Sequence, residues 1–207
     1  MAKELAVGMK APEFSLPDQD GKTVTLKSLK DKQVVLYFYP KDDTSGCTKE
    51  SCGFRDAMAS IKKAGAVVIG VSFDGQASHQ KFIAKYALPF TLLSDLEKGV
   101  ATAYDVYKEK SMYGRKYMGI ERSTFVIDAE GKLKAIFRKV KVDGHVDEVL
   151  AALRASCLCE RSCATGSAPP VSSPLPSSSV LLVLPMRREP LRQRSSLPTV
   201  CRHPIRR

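Results

Sequence analysis

No stretch of this 207-residue chain approaches the ~18 consecutive apolar residues that a membrane-spanning helix needs. The longest apolar run near the C-terminus, Val180–Leu184, is far too short. The opening Met-Ala-Lys-Glu-Leu-Ala-Val-Gly carries an early acid and lacks an apolar h-region, so it does not read as a secretory signal. A cytoplasmic location without membrane attachment is the expectation. Histidine is scarce as well: His79, His145 and His203 are scattered and suggest neither a metal site nor a catalytic base. No internal repeat is visible. No Cys-x-x-Cys pair occurs among the six cysteines, which argues against the dithiol arrangement of a disulfide reductase.

The absences are sharpest after Ala155. Residues 156–207 contain no Lys, Phe, Tyr or Asp and are dense in Ser, Pro and Arg. Such a segment has no periodic apolar face with which to offset the entropy of ordering. It reads as a disordered tail of the kind a frame shift produces, and residues 1–155 as the one folded domain. The formal charge of +11 divides accordingly. Eight arginines against two acids give the tail +6, and 25 basic against 20 acidic residues give the body +5. The modest lysine excess of the body fits a solvated surface, so no nucleic-acid partner is expected. Cys157, Cys159 and Cys163, with Cys201, lack the paired knuckles of a zinc site and read as incidental thiols. Neither metal nor cofactor is expected.

Within the body, Val34-Val-Leu-Tyr-Phe-Tyr39 is an unbroken apolar and aromatic run, as in a central strand covered on both faces. Pro40 ends it. Thr44 or Ser45 is placed to cap a helix from about Gly46 to Ala64, with Gly65 as its stop. Ala11–Leu26 reads as a short hairpin turning at Asp20-Gly21, and Val67–Ser72 as a second central strand. Ser78–Tyr86 and Leu96–Tyr104 read as helices flanking a short strand, Thr91–Ser94. Thr124–Asp128 and Leu133–Arg138 form a hairpin before a closing helix, Val146–Leu153. Strands alternating with helices, then a hairpin and a helix, give an α/β protein with a thioredoxin-like fold, its central mixed sheet flanked by helices.

Cys47 falls in the opening turn of the helix after the buried strand. Unpaired amides and a partial positive charge there favour an anion, and the thiolate is the nucleophilic form of cysteine. Thr44 lies three residues earlier, its hydroxyl able to accept from a helix amide or to donate to a bound oxygen. Glu50 lies one turn later on the same side of the helix; by itself it reads equally as a surface carboxylate.

Pro40-Lys-Asp-Asp-Thr44-Ser-Gly-Cys47 resembles the peroxiredoxin signature, and the longer string through Thr48-Lys-Glu-Ser-Cys52 resembles the bacterioferritin comigratory protein, or peroxiredoxin Q, group. The likeness runs from the Gly-Met-Lys-Ala-Pro-Glu-Phe start to about Ala155. It implies a thiol peroxidase that reduces hydrogen peroxide and organic hydroperoxides, with Cys47 as the peroxidatic cysteine oxidised to a sulfenic acid. It also implies that Thr44 and Arg122 hold the peroxide oxygens, that Pro40 shields the site and that Glu50 orients the hydrogen bonds. Thioredoxin or a similar dithiol is the implied reductant, and a monomer the expected state. The chain departs from the group at Ser45, where Pro is usual; Pro suits the first turn of a helix, so a slightly looser loop is expected.

Cys52 is the expected resolving cysteine. On an ideal helix, residues five apart have Cα atoms roughly 8.6 Å apart, from a rise of about 7.5 Å and a rotation of about 140°. A disulfide needs roughly 4.4–6.8 Å. The two sulfurs join only if the first turns of the helix unwind, so a redox-driven switch is expected. The alternative of another class is a non-catalytic thiol sensor or holdase on the same fold.

Overall fold

The computed structural model describes residues 5–112 and 115–155. The expectations for the tail and for Cys157, Cys159, Cys163 and Cys201 lie outside these residues. A five-stranded sheet is ordered β5-β4-β3-β8-β9, built from β3 (Gln33–Phe38), β4 (Ala66–Ser72), β5 (Thr91–Ser94), β8 (Ser123–Ile127) and β9 (Leu133–Phe137). β3, β4 and β5 run parallel, whereas β8 pairs antiparallel with both β3 and β9. This is the mixed sheet expected of the thioredoxin-like fold.

The central run at Val34–Tyr39 is apolar throughout because both of its faces are covered. Val34, Leu36 and Phe38 enter one core cluster with Phe14, Ile69, Tyr104 and Phe125. Val35, Tyr37 and Tyr39 enter a second, with Cys47, Phe54, Ile61, Phe82 and Val149. The first cluster is covered by the N-terminal hairpin of β1 (Ser15–Pro17) and β2 (Thr23–Thr25), and by α4 (Gly99–Ala103). The second lies beneath α1 (Ser45–Asp56), α2 (Met58–Lys63), α3 (Gln76–Tyr86) and α5 (His145–Arg154). Gly70 is needed opposite Tyr37: a Cβ there would meet Leu92 Cδ2 at 2.7 Å and the Tyr37 ring at 2.8 Å. The absence of that atom lets Tyr37 lie across β4 and reach α1.

Two expectations are corrected, and a third feature carried none. The helix read as Gly46–Ala64 is two helices that break at Ala57, with φ −86° and ψ −1°. The break turns α2 onto β4 and buries Met58 and Ile61; no Pro or Gly announces it. The helix read as Leu96–Tyr104 shortens to α4. Leu96 is exposed, Lys98 takes a left-handed φ of 61°, and Asp95 Oδ2 accepts from the Ala101 amide at 2.7 Å. The third is an omission, an antiparallel ribbon of β6 (Tyr107–Met112) and β7 (Arg115–Ile120) leading directly to Arg122.

Candidate active site

The site forms where the carboxyl end of β3 meets the amino end of α1 and the chain entering β8. Ser45 is the first residue of α1, and Cys47 is the third. The first amide to bond back within the helix is that of Thr48, to Thr44 O at 2.8 Å. The amides of Ser45, Gly46 and Cys47 therefore have no acceptor from the helix itself, and their dipoles favour negative charge at this end.

Arg122, just ahead of β8, reaches the same place from the other side of the sequence. Its Nη2 donates to Cys47 Sγ at 3.3 Å, and its Nη1 pairs with Glu50 Oε2. Gly46 permits the approach, because a Cβ there would lie 3.2 Å from Arg122 Nη2. One guanidinium thus bridges the thiol and a carboxylate one helical turn away, a use of two donor nitrogens that lysine cannot copy.

Cys47 and Glu50 are both buried at 1% exposure, which excludes the surface reading of the carboxylate. Burial pushes Glu50 up from 4.5 to about 7, although the charge and hydrogen bond of Arg122 pull it down. Burial alone would lower Arg122; its contacts with Glu50 and Cys47 instead hold it above its usual value. The guanidinium keeps its charge, so it is Glu50 that titrates near neutrality. Glu50 Oε1 is buried without a hydrogen-bond partner. Lys110, half-buried on β6, adds a second cation close enough to feel Glu121, Arg122 and Cys47, and burial moves it below its usual value.

Cys52 lies on α1 as expected, 4% exposed, and both it and Cys47 are thiols. Its neighbour Ser51 shares a hydrogen bond of 3.1 Å with Tyr37 Oη. Thr44 is placed differently from expectation. It takes the extended N-cap conformation, but its hydroxyl donates to Lys41 O at 3.2 Å instead of capping α1. Pro40 is exposed at the bend after β3, and no hydrogen bond joins Thr44 to Cys47.

Sequence reasoning missed the polar cluster under this loop. Asp42, 7% exposed, accepts from Tyr39 Oη at 2.7 Å, Ser78 Oγ at 2.7 Å and His79 Nδ1 at 2.9 Å. His145 is also buried, its Nε2 2.8 Å from Thr124 Oγ1, and burial lowers its pKa. His79 and His145, scattered in sequence, are thus buried and hydrogen-bonded within the fold, and His203 lies outside the described residues. The one available signal was a carboxylate in the signature loop, which on its own reads as solvated.

The profile of the AhpC/TSA family matches residues 7–136. The peroxiredoxin Bcp of Bacillus subtilis (strain 168) is 53% identical over 150 residues, 72% of this chain and 96% of that relative. The peroxiredoxin Bcp of Escherichia coli (strain K12) is 47% identical over 146 residues, 70% of this chain and 94% of the relative. Among solved structures, the Xanthomonas campestris bacterioferritin comigratory protein, which has alkyl peroxide reduction activity, superposes with a TM-score of 0.69 at 42% identity. That likeness covers 73% of this chain and 99% of the other. With a cysteine at a helix amino end under an arginine, on this sheet, the chain belongs to the AhpC/TSA family, among its Bcp-type peroxiredoxins.

Proposed function

We propose that Cys47 is the peroxidatic residue of this thiol peroxidase and Cys52 its resolving partner, recycled by thioredoxin or a similar dithiol. The observation that carries this reading is the Arg122 guanidinium 3.3 Å from Cys47 Sγ with Glu50 behind it. The Cys47 thiolate attacks the terminal oxygen of a hydroperoxide, the O–O bond breaks, and the alkoxide takes a proton from solvent to leave as alcohol. Arg122 stabilises the charge as it moves from sulfur to the departing oxygen, and Thr44 turns its hydroxyl toward the peroxide. Pro40 screens the opening from water. Cys47 is left as a sulfenic acid. The Cys52 thiol then displaces its hydroxyl as water and forms the Cys47–Cys52 disulfide, which a reduced dithiol opens by exchange.

Both cysteines sit within the single helix α1, so their Cα atoms are roughly 8.6 Å apart by ideal helix geometry, beyond the roughly 6.8 Å limit of a disulfide. Unwinding of α1 between them is required, and it separates Glu50 from Arg122 and Ser51 from Tyr37. The alkyl peroxide activity of the Xanthomonas relative supports organic hydroperoxides, beside hydrogen peroxide, as substrates. The reading extends to a cytoplasmic monomer whose residues 156–207 are dispensable.

The test is steady-state hydroperoxide consumption with thioredoxin and its reductase, followed by peptide mass mapping of the oxidised protein. Wild type turns over and carries the Cys47–Cys52 bond, Cys47→Ser is inactive, and Cys52→Ser reacts once but recycles poorly. A single oxidation event without turnover in wild type means a sensor or holdase instead.

A further inference from the structure

The hydrogen bonds of the loop before α1 and of the first two turns of α1 fall into two sets that divide at Thr44 and Ser45. Those made by residues 47–52 reach other walls of the site: Cys47 and Glu50 to Arg122, Ser51 to Tyr37, and Lys49 to Asp143 ahead of α5. Unwinding toward a disulfide breaks them. The second set ties the preceding loop to the chain around α3. Asp42 receives Tyr39 Oη, Ser78 Oγ and His79 Nδ1, and its own amide donates to Asp74 Oδ2 at 2.7 Å. Asp74 is in turn held by Ser72 Oγ at 3.0 Å. Beside it Asp43, at a left-handed φ of 54°, binds Lys85 Nζ at 2.6 and 2.8 Å and Tyr86 Oη at 2.6 Å.

A carboxylate as buried as Asp42 is costly to keep charged without partners. Burial does push its pKa up, but the hydrogen bonds from His79, Ser78 and Tyr39 outweigh it and leave the group below its ordinary value. The carboxylate is therefore well satisfied, and no hydrogen bond joins it to Cys47 Sγ. Meanwhile the amino end of α1 has no side-chain cap, because the Thr44 hydroxyl is committed to Lys41 O. The position of Cys47 under Arg122 consequently depends on what holds the loop.

We propose that the buried Asp42–His79 pair is a positioning latch. It pins the loop between β3 and α1 onto α3 while α1 opens from Ser45 onward, and it re-seats Cys47 against Arg122 each time the helix closes. The proposal rests on Cys47 being the peroxidatic residue. Neither Asp42 nor His79 touches the reacting atoms, so both act through the loop. His79 is tied through one ring nitrogen alone, since its Nε2 is buried with no hydrogen-bond partner. That asymmetry supplies the test. An asparagine amide nitrogen sits as many bonds from Cα as Nδ1 does, whereas the glutamine nitrogen falls at the Nε2 position.

The experiment is stopped-flow oxidation of the reduced full-length chain by hydrogen peroxide. It separates the peroxide-dependent step at Cys47 from the peroxide-independent formation of the disulfide. His79→Gln is expected to slow the first step about tenfold, the loss of one hydrogen bond to a charged group, with disulfide formation unchanged or faster. His79→Asn is expected to restore the first step to within about threefold of wild type. Equal slowing by the two variants, no slowing by either, or parallel slowing of disulfide formation overturns the latch. Should the His79 variants not fold, Ser78→Ala removes another donor to the same carboxylate with little change of volume. A fall of about threefold in the first step is then expected, and an unchanged rate overturns the proposal. If wild type and Cys47→Ser give identical traces, it is the underlying assignment that has failed, not the latch.

Discussion

Replacing Arg122 by alanine removes the one cation among the described residues that pairs with both Cys47 and Glu50. At 3.3 Å the gross attraction between unit charges is about 5 kcal/mol at an effective dielectric constant of about 20. Part of it is returned when solvent enters the space left by the guanidinium. The closest mutational parallel, loss of one donor aimed at developing negative charge, costs about a hundred- to a thousandfold in rate. Glu50 does not become a stranded buried anion, because burial already brings it to about 7 with Arg122 present. Without the cation it stays protonated at neutral pH, and the fold survives. Arg122→Ala should therefore lower the second-order rate constant with hydrogen peroxide at pH 7 by at least about a hundredfold, with a thermal midpoint within a few degrees of wild type. Arg122→Lys keeps the charge but cannot serve both acceptors, so an intermediate loss of about tenfold is expected. Stopped-flow measurement on the reduced protein reads all three rates. A rate for Arg122→Ala within about threefold of wild type would refute the reasoning.

Glu50 makes stability depend on pH. Its folded value of about 7 lies above the ordinary 4.5, so the contribution is fully present below about pH 4.5 and is lost as pH rises through about 7. Wild type should lose about 3 kcal/mol relative to Glu50→Gln between pH 4.5 and pH 8, read by chemical denaturation at several pH values, whereas a pH-independent difference contradicts the assignment. A chain truncated after Ala155 should keep peroxidase turnover within about twofold of the full-length protein, since every partner named around Cys47 lies before that point. A collapse of turnover on truncation assigns the tail a part in folding or catalysis.

The central strand was legible because a strand covered on both faces needs no polar positions, and Val34–Tyr39 has none until the site begins. The place of Cys47 at the opening of α1 was legible because the signature loop is contiguous in the chain, whereas the hydroxyl of Thr44 turns to Lys41 O and caps nothing. Arg122 is a different case: it lies 75 residues from Cys47, and only the resemblance singled it out among the body's basic residues. The ribbon of β6 and β7 was hidden because Tyr107-Lys-Glu-Lys and Arg115-Lys-Tyr-Met carry too much charge for an apolar alternation to show. The break at Ala57 was hidden for the opposite reason, since alanine favours continued helix and only packing of α2 on β4 turns the chain. Asp42 and His79 meet across 37 residues, and a carboxylate in a Lys-Asp-Asp string reads as solvated until its partners are seen.

The most direct measurement uses the Cys52→Ser protein, treated with one equivalent of hydrogen peroxide and then with a sulfenic-acid-trapping reagent such as dimedone. Peptide mass spectrometry should place the adduct on Cys47, and prior alkylation of that thiol should abolish both the adduct and the consumption of peroxide. An adduct confined to other cysteines, or undiminished peroxide loss after Cys47 is blocked, contradicts the account.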